Sequence, residues 1–298
     1  MKRILLFLLM IGISAPAICG TKRALTVFIG NYPPESGWNR LASENDRTIV
    51  LDMLDRLGFK QDNIACLLDA EATYEAILNA LDKLVIDAEA GDQIYIHFSC
   101  HGQQITDQDG DEALVNPKDR YDESIVPYDA NVAYGWHGYE GDRHLRDDQL
   151  NDCLARLQDA VGRKGCVLVI YDACHSGDLD RITDDERVAH PYRGTFDAFE
   201  QPYTGSSQAT HIKPVTWMSI SACKDFQTNF EVEIDGQRYG RLSFAISRSL
   251  RCGMTYEALV AALRVQYRNL PMPKGRMQSL QYQAPDRMKR KRLFTDEK

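Results

Sequence analysis

The chain has 298 residues, 44% of them hydrophobic, with 43 acidic side chains against 35 basic ones and a formal net charge of −8. This is enough apolar material for one large α/β domain or two small ones, and no internal repeat or long low-complexity segment interrupts it. An acidic balance of this size makes a poor general ligand for nucleic acid, so no nucleic-acid partner is expected.

The first twenty residues stand apart. Lys2 and Arg3 precede the apolar run Ile4 to Ile13 and then Ser14-Ala-Pro-Ala17, the pattern of a secretory signal peptide over 1–20, too short to span a membrane. Ala15 and Ala17 fit a small-residue cleavage site, and Cys19 followed by Gly20 leaves lipoprotein anchoring as the alternative. Residues 21–298 are read as one exported domain, periplasmic or secreted, monomeric and without a membrane span. Seven cysteines remain beyond the leader, an odd number in a chain that needs no cross-links. Cys66, Cys153, Cys166, Cys223 and Cys252 are therefore read as buried packing thiols.

In chain order, Ala24 to Asn31 is a β-branched apolar strand closed by Asn31-Tyr-Pro-Pro. Ser43 and Asp46 make a capping-box-like start for a helix with Ile49, Val50, Met53, Leu54 and Leu57 on one face, stopped at Gly58. Ile64 to Leu68 is a short strand, and Thr73 caps a second helix with Ile77, Leu81, Leu84 and Val85 inward. The run Asp92-Gln-Ile-Tyr-Ile-His-Phe-Ser-Cys-His-Gly102 is a buried strand that ends on His101. Gln103 to Arg146 reads as a long acidic loop, in which Asp107-Gln-Asp-Gly-Asp-Glu112 departs from an EF-hand because Gly110 stands at its fourth position, and so counts as a solvated turn. After a helix from Asp147 to Leu157, the run Val167-Leu-Val-Ile-Tyr-Asp-Ala-Cys-His-Ser-Gly177 is a second buried strand, ending on Asp172, Ala173 and Cys174. Gly177 to Pro214 is a second long connection, followed by a strand from Val215 to Ala222 and helices near Leu242 to Leu250 and Thr255 to Asn269. The basic stretch Arg287 to Arg292 is read as the solvated face of a terminal strand. Strands alternating with helices imply an α/β fold, a mostly parallel central sheet flanked by helices on both faces.

Cys174 and His101 carry the chemistry. Each stands just past the carboxyl end of a buried strand, where open α/β sheets keep their active sites, and each is followed within a few residues by glycine. If the two strands are neighbours, a thiol and an imidazole converge as a nucleophile with its base. His97 alternates within its strand and is read as a packed or surface histidine. No closely spaced Cys/His pair supports zinc, and no organic cofactor is expected.

These residues resemble the metacaspases and bacterial caspase-like peptidases of the caspase-hemoglobinase fold. The resemblance runs from about Arg23 to Phe294 and rests on Asn45-Asp46, Gly58-Phe59, Ala72-Thr73, Ser99-Cys-His-Gly102, Asp122-Glu-Ser-Ile-Val-Pro127, Asp147-Asp148, Asp172-Ala-Cys-His-Ser-Gly177 and Ser221-Ala-Cys-Lys-Asp225. Cys100 stands where the family usually has glycine, and Ala173 where it usually has serine; both keep a small side chain. The resemblance implies a front part over about 21–177 with the dyad, a connecting loop over 178–214 and a back part over 215–298.

It also implies a cysteine endopeptidase, with Cys174 attacking a peptide carbonyl, His101 moving the proton, and the backbone N–H groups of Gly102 and Cys174 holding the oxyanion. The family's pocket positions fall on Asp172, Asp46, Asp225 and Ser99. Several carboxylates around one pocket favour a substrate peptide or protein with Arg or Lys before the scissile bond, and Asp172, fixed by the nucleophile's own strand, is expected to be the dominant acid. Calcium is the expected stimulating cofactor, held by Asp122, Asp147, Asp148 and Asp180, or Asp178 if the short gap falls elsewhere. Arg187 and Arg193, in a connection expected to be exposed, are candidate points of self-cleavage, whereas Lys213 is disfavoured by Pro214. The alternative, a silent peptide- or partner-binding module, would be expected to have lost the cysteine or the histidine.

Overall fold

The computed structural model describes residues 20–174, 191–195, 197–204, 214–224 and 227–296. Six strands form the main sheet: β1 (Lys22–Phe28), β2 (Ile64–Leu68), β3 (Gln93–Ser99), β7 (Cys166–Asp172), β8 (Met218–Ser221) and β11 (Gln281–Gln283). Their order is β11-β8-β7-β3-β1-β2. All pairings are parallel except that of β11 with β8 at the edge, so the mostly parallel α/β sheet expected from the strand and helix alternation is present.

Because side chains alternate across a strand, each central strand feeds two cores. Leu25, Val27, Ile94, Ile96, Phe98, Val167 and Val169 face α2 (Tyr74–Asp87) and α4 (Asp147–Val161), which contribute Ile77, Leu81, Leu150, Leu154 and Leu157. Ala24, Phe28, Tyr95, Leu168 and Ile170 face the opposite way, toward α1 (Ser43–Arg56), α5 (Arg241–Ser249) and α6 (Tyr256–Asn269), through Val50, Met53, Leu54, Leu242, Ile246, Leu259 and Leu263. Mostly apolar strands follow from burial on both faces, as parallel sheets require. Thr73 caps α2 as expected, its side chain accepting from the amide of Ala76 at 3.3 Å.

Several expectations need correction. Ser43 is the first residue of α1 and not its cap; its hydroxyl donates to the carbonyl of Ile29 at 3.1 Å, tying the helix start to the end of β1. The Gln103 to Arg146 segment is not a loop: β4 (Gly102–Thr106), β5 (Tyr121–Ile125) and β6 (Leu145–Arg146) form an antiparallel sheet, with a short helix α3 (Glu112–Val115) between the first two. Asp107 is buried there, its carboxylate accepting from the amides of Asp109 and Gly110. Cys252 is exposed and Cys66 half-buried, so these two are not core thiols. The basic C-terminal stretch is no strand; it runs through α7 (Asp286–Lys289), after which Leu293 and Phe294 are fully buried. A hairpin of β9 (Glu231–Ile234) and β10 (Gln237–Gly240) completes the elements beside the site. Among the described residues no helix is long and apolar enough to cross a membrane, and residues 1–19, the expected leader, lie outside them.

Candidate active site

β3 and β7 are neighbours, paired in register up to Ser99 opposite Asp172. His101 and Cys174 each lie two residues beyond that last pair, so the two chains leave the sheet together and carry imidazole and thiol to the same edge. The ring of His101 is stacked on Trp38, with centroids 4.8 Å apart, and lies 5.1 Å from Tyr32. Tyr32 also accepts from the His101 amide at 3.1 Å and donates to the carbonyl of Val126 at 2.8 Å.

The tautomer of His101 follows from its partner. Nε2 lies 2.8 Å from the carbonyl oxygen of Asn39, which only accepts, so Nε2 carries the proton. Nδ1 is then a bare lone pair, buried and without a hydrogen-bond partner among the described residues. Burial lowers the pKa of the ring to about 4, outweighing the Asn39 carbonyl, which pulls it upward. The imidazole is therefore neutral at pH 7, oriented by a backbone carbonyl in the way a carboxylate orients the base of a catalytic triad. Cys174 is 2% exposed, and its Sγ lies 3.3 Å from the carbonyl of Gln227. Burial pushes the neighbouring Cys100 thiol up to about 12, which leaves it inert as a nucleophile.

Beneath the dyad is a closed pocket of acids, and Arg193 fills it. The Arg193 side chain has no exposed surface. Its Nη2 donates to Oδ2 of Asp46 at 2.6 Å and to Oε1 of Glu231 at 3.0 Å. Its Nη1 donates to Oγ of Ser99 at 2.7 Å and to the backbone carbonyl of Asp172 at 3.3 Å. Ser99 in turn donates to Asp46 Oδ2 at 2.8 Å, and the amide of Gly240 donates to Asp46 Oδ1 at 2.9 Å. Burial raises the Asp46 carboxyl to about 7, with the Arg193 charge pulling the other way.

Asp172 differs from the expectation for it. Its Oδ2 accepts from the amide and the hydroxyl of Ser243, both at 2.7 Å, and its Oδ1 from Asn229 at 2.8 Å. Burial alone would raise its pKa, but Arg193, Asn229 and Ser243 outweigh it and hold the carboxyl below the usual range. Its charge reaches the guanidinium through space, whereas the direct ion pairs come from Asp46 and Glu231. His97 is packed and not a surface residue: Nδ1 meets the Tyr95 hydroxyl at 2.8 Å and Nε2 the Ser243 hydroxyl at 2.9 Å.

The chain around Arg193 pairs with the segment leading into β9 through one isolated antiparallel bridge. The Arg193 amide donates to the carbonyl of Asn229 at 2.9 Å, the Glu231 amide donates to the carbonyl of Pro191 at 2.8 Å, and Tyr192 bridges Phe230 antiparallel. Gly194 then passes over Cys174: a Cβ there would lie 2.9 Å from Cβ of Cys174, 2.8 Å from its carbonyl oxygen and 3.0 Å from that of Gly102. At φ +152° this position also favours glycine. The Arg193–Gly194 bond thus runs alongside Cys174, and Arg193 is not the exposed residue expected of the connection. Asp225, Asp178, Asp180, Arg187 and Lys213 lie outside the described residues.

The family model described as metacaspase, peptidase C14 domain, matches residues 22–182, a span that contains both His101 and Cys174. The chain belongs to the metacaspase family. Among curated proteins it is 29% identical to Metacaspase-1 of Cryptococcus neoformans over 275 residues, covering 78% of this chain and 56% of that one. It is 28% identical to Metacaspase-1B of Neosartorya fischeri, covering 84% and 67%, and 27% identical to Metacaspase-1 of Schizosaccharomyces pombe, covering 65% and 51%. This metacaspase therefore spans only about half to two thirds of the length of these relatives. A crystal structure of a Geobacter sulfurreducens protein shares the fold, with a TM-score of 0.61 and 22% identity over 92% of this chain and 98% of that one.

In this metacaspase three of the acids expected to hold calcium, Asp122, Asp147 and Asp148, fall into two trios with other acids. Carboxylate oxygens of Asp111, Asp122 and Asp148 lie within 4.8 Å of one another, as do those of Glu112, Glu123 and Asp147. Asp122 pairs with Arg146 through Oδ2, while its Oδ1 is buried without a hydrogen-bond partner among the described residues. Burial first, with neighbouring acids adding, raises Asp111 to about 6 and Glu112 to about 7; burial also takes Asp122 to about 7 against the pull of Arg146. A buried orphan oxygen among crowded hard donors fits calcium.

Three features of the site carried no sequence signal: Glu231 and Asn229 lie in a short segment with no motif, and the Asn39 carbonyl is backbone. Arg193 was visible only as a candidate point of self-cleavage. Trp38 was visible only as part of the Asn31 to Trp38 turn.

Proposed function

We propose that this chain is a cysteine endopeptidase that cleaves peptide or protein substrates after arginine or lysine. The observation that carries the reading is the seating of Arg193: a basic side chain among buried acids, its main chain hydrogen-bonded to residues 229–231, and its following peptide bond alongside Cys174. In this reading Nδ1 of His101 takes the proton from the Cys174 thiol, and the thiolate attacks the carbonyl carbon of the basic residue. The backbone N–H groups of Gly102 and Cys174 hold the oxyanion. Collapse of the adduct breaks the C–N bond, the imidazolium returns its proton to the departing amine, and a thioester remains. Water, deprotonated by the same Nδ1, then releases the acid and regenerates the thiol.

The same seating supports self-processing between Arg193 and Gly194. Calcium fits the acids beside α4: Asp122 and Asp148, with Asp147 adjoining and Asp180 of the expected set, would hold it, and a bound cation there would neutralise the crowded carboxylates. The leader-like residues 1–20 support export of a monomeric enzyme to the periplasm or medium. The test is turnover of a fluorogenic arginine peptide by the parent, Cys174→Ala and His101→Ala. Either substitution alone is expected to remove nearly all of the rate, because the two groups act as a unit; undiminished turnover by Cys174→Ala would overturn the reading.

A further inference from the structure

We propose that Glu231 is a specificity-determining residue of the pocket and selects arginine over lysine; this rests on the basic-residue reading above. Glu231 is 7% exposed and stands at the start of β9. Its Oε1 accepts from Arg193 Nη2 at 3.0 Å and also from the amide of Ala42, immediately before α1, at 2.8 Å. The second bond matters because it does not depend on the occupant. It anchors the carboxylate to the helix start that carries Asp46, so the acid is in place before a basic side chain arrives. The Glu231 amide meanwhile donates to the carbonyl of Pro191, two residues before the occupying arginine. One residue therefore holds both the main chain and the side-chain charge of the basic residue.

The division of partners is what separates the two basic residues. Four of the five guanidinium N–H groups are directed: Nη2 at the carboxylates of Asp46 and Glu231, Nη1 at the Ser99 hydroxyl and the Asp172 carbonyl, leaving only Nε without a partner among the described residues. A planar fork matches this arrangement. Lysine ends one atom earlier, its ammonium falling near the place of the guanidinium carbon, about 1.3 Å short of the Nη positions. From there a single nitrogen addresses Glu231 only at longer range. Removing the Glu231 charge therefore costs arginine a direct charge-assisted bond and lysine a weaker, longer one.

The experiment compares the parent with Glu231→Gln on two fluorogenic peptides that differ only in Arg or Lys before the scissile bond. The ratio of the two kcat/KM values is the readout, because the fraction of folded or unblocked enzyme cancels from it. The arginine value is expected to fall by about tenfold to a hundredfold, and the Arg:Lys ratio by roughly tenfold, mainly through KM. Glu231→Asp, which keeps the charge but shortens the reach, is expected to fall between the two. An unchanged ratio in Glu231→Gln, with the parent still cleaving after basic residues, would overturn the role of Glu231 alone. A parent that cleaves neither peptide overturns both this inference and the specificity reading beneath it.

Discussion

The guanidinium of Arg193 meets the carboxylate of Asp46 at 2.6 Å in a place where neither side chain has exposed surface. Such a pair holds only while both partners are present, because either charge left alone in a dry site is strongly unfavourable. The peptide that brings Arg193 in also lays Gly194 against Cys174. In the proposed reading, the chain itself fills this pocket, in the pose a basic substrate residue would take.

Self-cleavage should therefore leave Gly194 as a new N-terminus. Intact-mass spectrometry of the parent is expected to show the break between Arg193 and Gly194, absent in Cys174→Ala. Arg193→Gln should also lack it; the uncut parent is expected to show an initial lag against an added arginine peptide, and Arg193→Gln to show none. A lag that persists in Arg193→Gln would mean that Arg193 does not block the site.

Asp46 and Asp172 should separate cleanly. Asp46→Asn removes a direct charge-assisted bond and is expected to raise KM for arginine peptides by about tenfold to a hundredfold. Asp172→Asn should act mainly on stability, since its carboxylate holds Ser243 and Asn229; a lower urea midpoint is expected. Equal KM effects from the two variants would restore Asp172 as a direct pocket acid.

His97 supplies a pH-dependent prediction. Burial lowers its pKa to about 3, so between about 3 and 6.5 the unfolded chain binds a proton that the folded one refuses. The neutral, hydrogen-bonded ring is stabilising above pH 6.5, and that contribution is lost as pH falls toward the folded value. His97→Gln should cost about 1 to 3 kcal/mol at pH 8 through its lost hydrogen bonds, and the gap between parent and variant should narrow on acidification. Urea melts at pH 8 and pH 5 provide the comparison; a gap that widens at pH 5 would contradict it.

The sheet was legible in the sequence because strands buried on both faces read as unbroken apolar runs. The ends of two such runs marked His101 and Cys174 before any neighbour was known. The Gln103 to Arg146 segment misled because β4 and β5 carry Gln, Thr, Asp and Glu, residues that an antiparallel pair with one wetter face tolerates. Asp46 was visible both as a helix-start acid and as a pocket acid, and only its contacts decide: it accepts from Arg193, Ser99 and Gly240. Glu231 was invisible because a pocket assembled from distant segments leaves no local pattern.

Calcium removal should be reversible and local. Calorimetry is expected to show uptake by the parent and none by the Asp122→Asn, Asp148→Asn double variant, with peptidase activity falling in excess chelator and returning with calcium. Full activity in chelator together with no heat of binding would dismiss the ion.

The central claim is tested most directly by a panel of peptides differing only at the residue before the scissile bond, assayed with the parent and Cys174→Ala. The account predicts the highest kcat/KM for Arg, a lower value for Lys, none measurable for Asp, and no turnover of any peptide by Cys174→Ala. Preferred cleavage after Asp, or Arg cleavage that survives in Cys174→Ala, would contradict it.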